Sequence, residues 1–81
     1  MTRNRRERIA AAINLIKDIK EQITNIMNEE SEDIDNIPED IRETQRGEDM
    51  FFEMDQNIFD LDDVCNRIDL IAFQLTELIE R

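Results

Sequence analysis

The sequence predicts an all-α protein, an antiparallel hairpin of two long helices with a short connector helix, dimerising into a four-helix bundle. Three observations carry that expectation. Ile, Leu, Val and Met recur at helical spacing through most of the chain. Its one glycine and its one proline both fall in a single stretch, "DNIPEDIRETQRGEDM", from Asp35 to Met50. Aromatics make up only 5% of the residues and charged groups 38%, so an 81-residue chain has few bulky side chains for a globular core. The length fits one domain, residues 1–81.

Helix 1 is predicted over about 3–33. Thr2 or Asn4 is placed to cap its start. In sevens from Ile9, the residues Ile9, Ile16 and Ile23 share one position. Ala12, Ile19 and Ile26 fall three later, and Ile13 and Met27 four later. Isoleucine at this density suits a strand, but the alternation expected of a strand is missing. The stripe fades into "NEESED", Asn28 to Asp33, where Glu30 holds a seam position.

The connector spans about 34–47. Asn36-x-x-Glu39 reads as a capping box, with Pro38 in the first turn of a short helix over about Ile37 to Thr44. Gly47 is expected to end that helix or to mark a kink. Ile34, Ile37 and Ile41 share a face whose frame does not run on into the next segment. Proline and glycine thus bracket a joint between antiparallel neighbours.

Helix 2 is predicted over about 48–80. Met54, Leu61, Ile68 and Leu75 share one position. Val64, Ile71 and Leu78 lie three later, and Ile58, Cys65, Ala72 and Ile79 four later. Phe52, Phe59 and Phe73 occupy a further heptad position, with Phe51 close by. One partner helix cannot cover so wide an apolar face. Burying an aromatic side chain is worth roughly 2–3 kcal/mol, so the sequence points to self-association into a homodimer.

Charge narrows the function. The net charge of −11 disfavours direct binding of nucleic acid and of anionic membrane surfaces. The distribution is uneven. Arg3, Arg5, Arg6 and Arg8 crowd the N-terminus and are candidates for inter-chain charge contacts. From Glu29 to Asp63 only Arg42 and Arg46 oppose the acids. The opening "MTRNRRERIAAAINLI" has a basic head and an apolar run. That run contains Asn14 and ends at Lys17 and Asp18 with no small-x-small cleavage site, so it is not read as a signal peptide.

Catalytic parts are missing. There is no His, Tyr or Trp, Ser31 is the only serine, and the single cysteine, Cys65, has no activating base. The expectation is a non-enzyme without cofactor or metal. "EESEDID" fails as a calcium loop, because the sixth residue from Asp33 is Pro38 where a glycine is needed. A magnesium-dependent all-α nucleotide pyrophosphatase remains a minor alternative, drawing on Glu29, Glu32, Glu48, Glu53 and Asp55. The leading expectation is a non-catalytic protein-interaction module. Its candidate surface is Phe51, Phe52, Phe59, Phe73, Glu29, Glu32, Asp55 and Asp62. The runner-up is an acidic mimic of DNA that blocks a nucleic-acid-binding protein.

The stretch "IDNIPEDIRETQRGEDM", with Asn36, Pro38, Glu39, Thr44, Arg46, Gly47, Glu48 and Met50 as the matching residues, resembles a family of small helical proteins of phages and prophages of Gram-positive bacteria. Those chains share a basic first helix, an Asn-x-Pro-Glu element, an Arg-Gly-Glu run and an acidic heptad helix. The phenylalanine-rich second helix departs from that pattern. The resemblance brings no established activity. It implies the cytoplasm of a bacterial host cell and a host protein as partner.

Overall fold

The computed structural model describes all residues 1–81 and contains helices only: α1 (Arg3–Asp35), α2 (Glu39–Arg42) and α3 (Gln45–Ile79). Helices α1 and α3 lie side by side in a rod of 61 × 14 × 11 Å. Thr2 caps α1, its hydroxyl accepting from the Arg5 N–H at 3.3 Å.

The contact between the long helices follows an unbroken 3–4 spacing. On α1 the half-buried or buried positions at this spacing are Arg6, Ile9, Ile13, Ile16, Lys20, Ile23, Met27, Glu30 and Ile34, continued by Ile37 in the connector, and Ala12 is half-buried beside them. On α3 the positions at this spacing run Met54, Ile58, Leu61, Cys65, Ile68, Ala72, Leu75 and Ile79, with Gly47, Met50 and Leu78 also covered. A repeat of seven held over this length wraps two helices as a left-handed coil. The seam therefore uses the residues four after Ile9 and four after Met54. The set three later, part of the stripe expected from sequence, lies mostly outside it: Ile19, Ile26, Val64 and Ile71 are exposed, and only Ala12 and Leu78 near the open end are half-buried. The apolar stripe of each helix is wider than the line along which two cylinders touch.

Three seam positions on α1 are charged: Arg6 at the open end and, farther in, Lys20 and Glu30, the latter two each met by a polar group from α3. Lys20 donates to Asp69 at 2.8–2.9 Å on one flank. Asn57 donates to Glu30 at 3.2 Å on the other. Between them the Cys65 thiol lies 4.0 Å from the Met27 sulfur. Polar groups inside a seam cost stability and fix register, because a slip of either helix leaves them unpaired.

The connector differs from the sequence expectation in three respects. Asn36 does not open a capping box. It closes α1, in right-handed helical geometry, with its N–H donating to the Glu32 and Ile34 carbonyls. Pro38 is the residue before α2, extended at φ −59° and ψ 144°, and its carbonyl accepts from the Ile41 and Arg42 N–H groups at 3.0 Å. The proline ring holds the φ needed there, and α2 shrinks to one turn. Gly47 neither ends α2 nor kinks the chain. It sits in the first turn of α3, two residues after the helix begins at Gln45, and its φ is not positive.

The joint is built by Thr44, Gly47 and Arg42. The Thr44 hydroxyl donates to the Ile41 carbonyl at 2.6 Å and accepts from the Gly47 N–H at 3.1 Å, tying the end of α2 to the start of α3. A Cβ on Gly47 would overlap the Ile41 carbonyl and stand 2.9 Å from the Arg42 Cα, so the glycine is required by close approach. Arg42 reaches back to α1. Its Nε donates to the Ile37 carbonyl at 2.9 Å, and its Nη2 to the Ile34 and Asp35 carbonyls at 2.9 and 3.1 Å. These carbonyls end or follow α1, where helix geometry leaves acceptors unpaired. Ile37 is buried beneath this clamp.

Two outcomes follow. Alanine in place of glycine inside a free helix stabilises by about 1 kcal/mol; Gly47→Ala here destabilises by about 1–3 kcal/mol through overpacking against α2, read as a lowered midpoint in urea titration followed by circular dichroism. The hydrogen bond to Asp69 raises the Lys20 pKa. A raised folded value means the contribution is complete at neutral pH and is lost as the pH climbs through the folded value, in the alkaline range. Thermal melts of wild type and Lys20→Leu across that range check this: the wild type loses stability on alkalinisation and the leucine variant loses less.

Candidate interaction surfaces

Heptad position sorts the exposed side chains into distinct surfaces. Phe52, Phe59 and Phe73 stand in one line on α3, turned away from α1, and are 71%, 70% and 60% exposed. Leu70, also exposed, lies beside Phe73 on the same side, one helical turn back. Asp55, Asp62 and Asp69 run parallel to this ridge, three residues after Phe52, Phe59 and Asn66 respectively. Asp69 is engaged by Lys20, while Asp55 and Asp62 carry no ion pair. The ridge is thus an apolar line edged by acid. Phe51 is separate. It is half-exposed at the joint, where it lines a cleft of about 220 Å³ with Arg42, Gly47 and Glu48.

The acids of α1 do not join the ridge. Glu32 projects from the outer side of α1, and Glu29 lies on the flank that carries Leu15 and Ile26. The eight residues selected from sequence therefore divide between the phenylalanine ridge with Asp55 and Asp62, the joint with Phe51, the outer side of α1 with Glu32, and the Ile26 flank with Glu29. No group of three or more Asp, Glu or Cys side chains gathers as a metal ion would need. Glu29, Glu32, Glu48, Glu53 and Asp55 are accordingly not brought into one cluster.

The arginines have different situations. Arg3 pairs with Glu7 at 3.0 Å on the surface. Arg6 occupies the open end of the seam, with its Nε buried and unpartnered. Arg5 and Arg8 line an open cleft of about 400 Å³ with Met1, Ile9 and Ala12. None of the four is offset by an acid in the first turn of α1, and no basic residue stands in its last turn. A helix favours negative charge at its start and positive charge at its end, by about 0.3–1 kcal/mol for each exposed group. α1 carries the reverse at both ends, with Glu32, Asp33 and Asp35 at its close. Arg42, from the next helix, supplies the cation that this end lacks.

A surface that the sequence grouping concealed lies on the Asn57–Glu30 flank. In an antiparallel pair, the stripe of Ala12, Ile19 and Ile26 on α1 runs beside Val64, Ile71 and Leu78 on α3. The cross-helix contacts set the register: Lys20 meets Asp69, Met27 meets Cys65 and Glu30 meets Asn57. They align Ile19 with Ile71 and Ile26 with Val64 as rungs of a ladder. Ile19 and Ile71 are 50% and 48% exposed.

No helix is long and apolar enough to cross a membrane. No family model matches the chain, and no curated protein or solved structure is significantly similar to it.

Exposed side chains contribute little to the fold that displays them. Replacing Phe59 and Phe73 together by Ser is expected to change the unfolding free energy by less than about 1 kcal/mol. Urea titration at low protein concentration, where the single chain dominates, is the check.

Proposed function

We propose that this chain is a non-catalytic protein-interaction module, homodimeric as a four-helix bundle, which binds a host protein through the ridge of Phe52, Phe59 and Phe73. The observation that carries this reading is the exposure of three phenylalanines aligned along one side of α3. Aromatic anchors supply most of the binding free energy at protein interfaces, and a regular row on one helix suits an apolar groove. The acids edging the ridge select a partner with a basic rim. The resemblance of the connector to phage and prophage proteins supplies the setting: the cytoplasm of a bacterial host, with the chain acting as a modulator or inhibitor.

A second reading has its own observation. Glu48, Asp55, Asp62 and Asp69 recur every seven residues along one flank of α3, a row of anions such as a DNA mimic needs to occupy a basic groove. The two readings differ in their salt response, since apolar burial is not screened and ion pairing is.

The discriminating experiment is affinity capture from host lysate with the wild type, with Phe52→Ser/Phe59→Ser/Phe73→Ser, and with Asp55→Asn/Asp62→Asn. The interaction-module reading expects capture that survives added salt and is lost in the phenylalanine variant. Recovery of nucleic-acid-binding proteins that DNA displaces, unaffected by the serines and lost with the asparagines, establishes the mimic instead.

A further inference from the structure

We infer that the second copy of this chain docks on the ladder face of Ile19, Ile26, Val64 and Ile71, head to tail, about a two-fold axis running across the face at the Ile19–Ile71 rung. This deepens the homodimer reading and rests on it.

Two observations select this face over the phenylalanine ridge. Both helices contribute to it, so one docking event covers an apolar stripe on each. The ridge belongs to α3 alone. Its charge is polarised as well. Arg5 continues the α1 stripe toward the open end and Asp33 toward the connector, with Arg8 and Glu29 at the matching ends of the adjoining line through Leu15.

Position fixes the axis. Arg5 and Asp33 each stand fourteen residues from Ile19, one before and one after. A two-fold at the Ile19 rung, crossing the rods, lays α1 antiparallel on α1 of the second copy. Arg5 then meets the other Asp33, and Arg8 comes beside the other Glu29. The Ala12–Leu78 rung packs on the Ile26–Val64 rung of the second copy, a small residue against a large one. Such an interface is isologous, with each contact made twice. A parallel dimer of the same face would stack the acidic ends together.

The reversed charge of α1 acquires a use here. Arginines at the start and acids at the end of a helix oppose its own dipole. The ends of an antiparallel neighbour present the complementary sign. The arrangement that is unfavourable within one chain is favourable between two.

Sedimentation equilibrium of the full chain, from micromolar to millimolar at low salt, tests the proposal. The wild type is expected to reach twice 9.7 kDa. Ile19→Glu/Ile71→Glu is expected to remain helical and monomeric, and Phe59→Glu/Phe73→Glu helical and dimeric. Arg5→Glu/Arg8→Glu weakens the dimer about tenfold, the effect of a few exposed pairs acting together, and adding Glu29→Lys/Asp33→Lys to that chain restores it. A wild type that stays monomeric throughout overturns self-association itself. A dimer lost with the phenylalanine variant and kept with the isoleucine variant retains self-association and overturns the face. Tightening on Arg5→Glu/Arg8→Glu, as relief of repulsion in a parallel dimer would give, overturns the orientation.

Discussion

Two cylinders touch along a line, and that constraint governs this molecule. Each long helix turns only about two positions in seven toward its neighbour, so helices of 33 and 35 residues leave just Ile13 and Cys65 as buried apolar side chains. The sequence supplies more apolar stripe than that line can use. Ile19, Ile26, Val64 and Ile71 fall to one side and the phenylalanine ridge to another. The surplus is ordered in heptads and is therefore a set of surfaces rather than scattered exposure.

Where the seam is thin, polar groups and the joint have greater weight. Lys20–Asp69 and Glu30–Asn57 fix the register on opposite flanks, and Arg42 closes the end of α1 with three hydrogen bonds. A guanidinium suits that task, since its planar fork can address several carbonyls at once while supplying the positive charge that a helix C-terminus favours. Gly47 and Thr44 then bring α3 close enough to α2 for the arginine to span the gap.

The all-helical architecture was legible from periodicity and from the confinement of Pro38 and Gly47 to one stretch. The local chemistry of the joint was less so. Asn36 and Glu39 have the spacing of a capping box, but α1 continues through Asp35 and uses Asn36 for its own end. Gly47 looks like a terminator until the approach of the Ile41 carbonyl is known, a tertiary fact that local sequence does not carry. The contact lies within the apolar stripe read from sequence, Glu30 included, but the stripe is wider than the contact: the strict 3–4 alternation through Ile9, Ile13, Ile16, Ile23 and Met27 marks the part that meets α3, and the exposure of Ile19 and Ile26 beside it is a tertiary fact. Arg42 stood out only as a cation among acids. Its target could not be read from sequence, because it bonds backbone carbonyls, which every residue has.

The joint also governs how the chain can change in length. Arg42, Thr44 and Gly47 anchor one end, and the rest of the rod, held in register by Lys20–Asp69 and Glu30–Asn57, repeats in sevens on both sides. A lone insertion in α1 would carry Lys20 away from Asp69 and dislocate every rung beyond it. Seven residues added to α1 and seven to α3 at matched levels would preserve every pairing and lengthen the rod by about 10 Å. Drift in this lineage is thus expected to be quantised and correlated between the two arms, with the hinge sequence as the invariant origin from which length is counted.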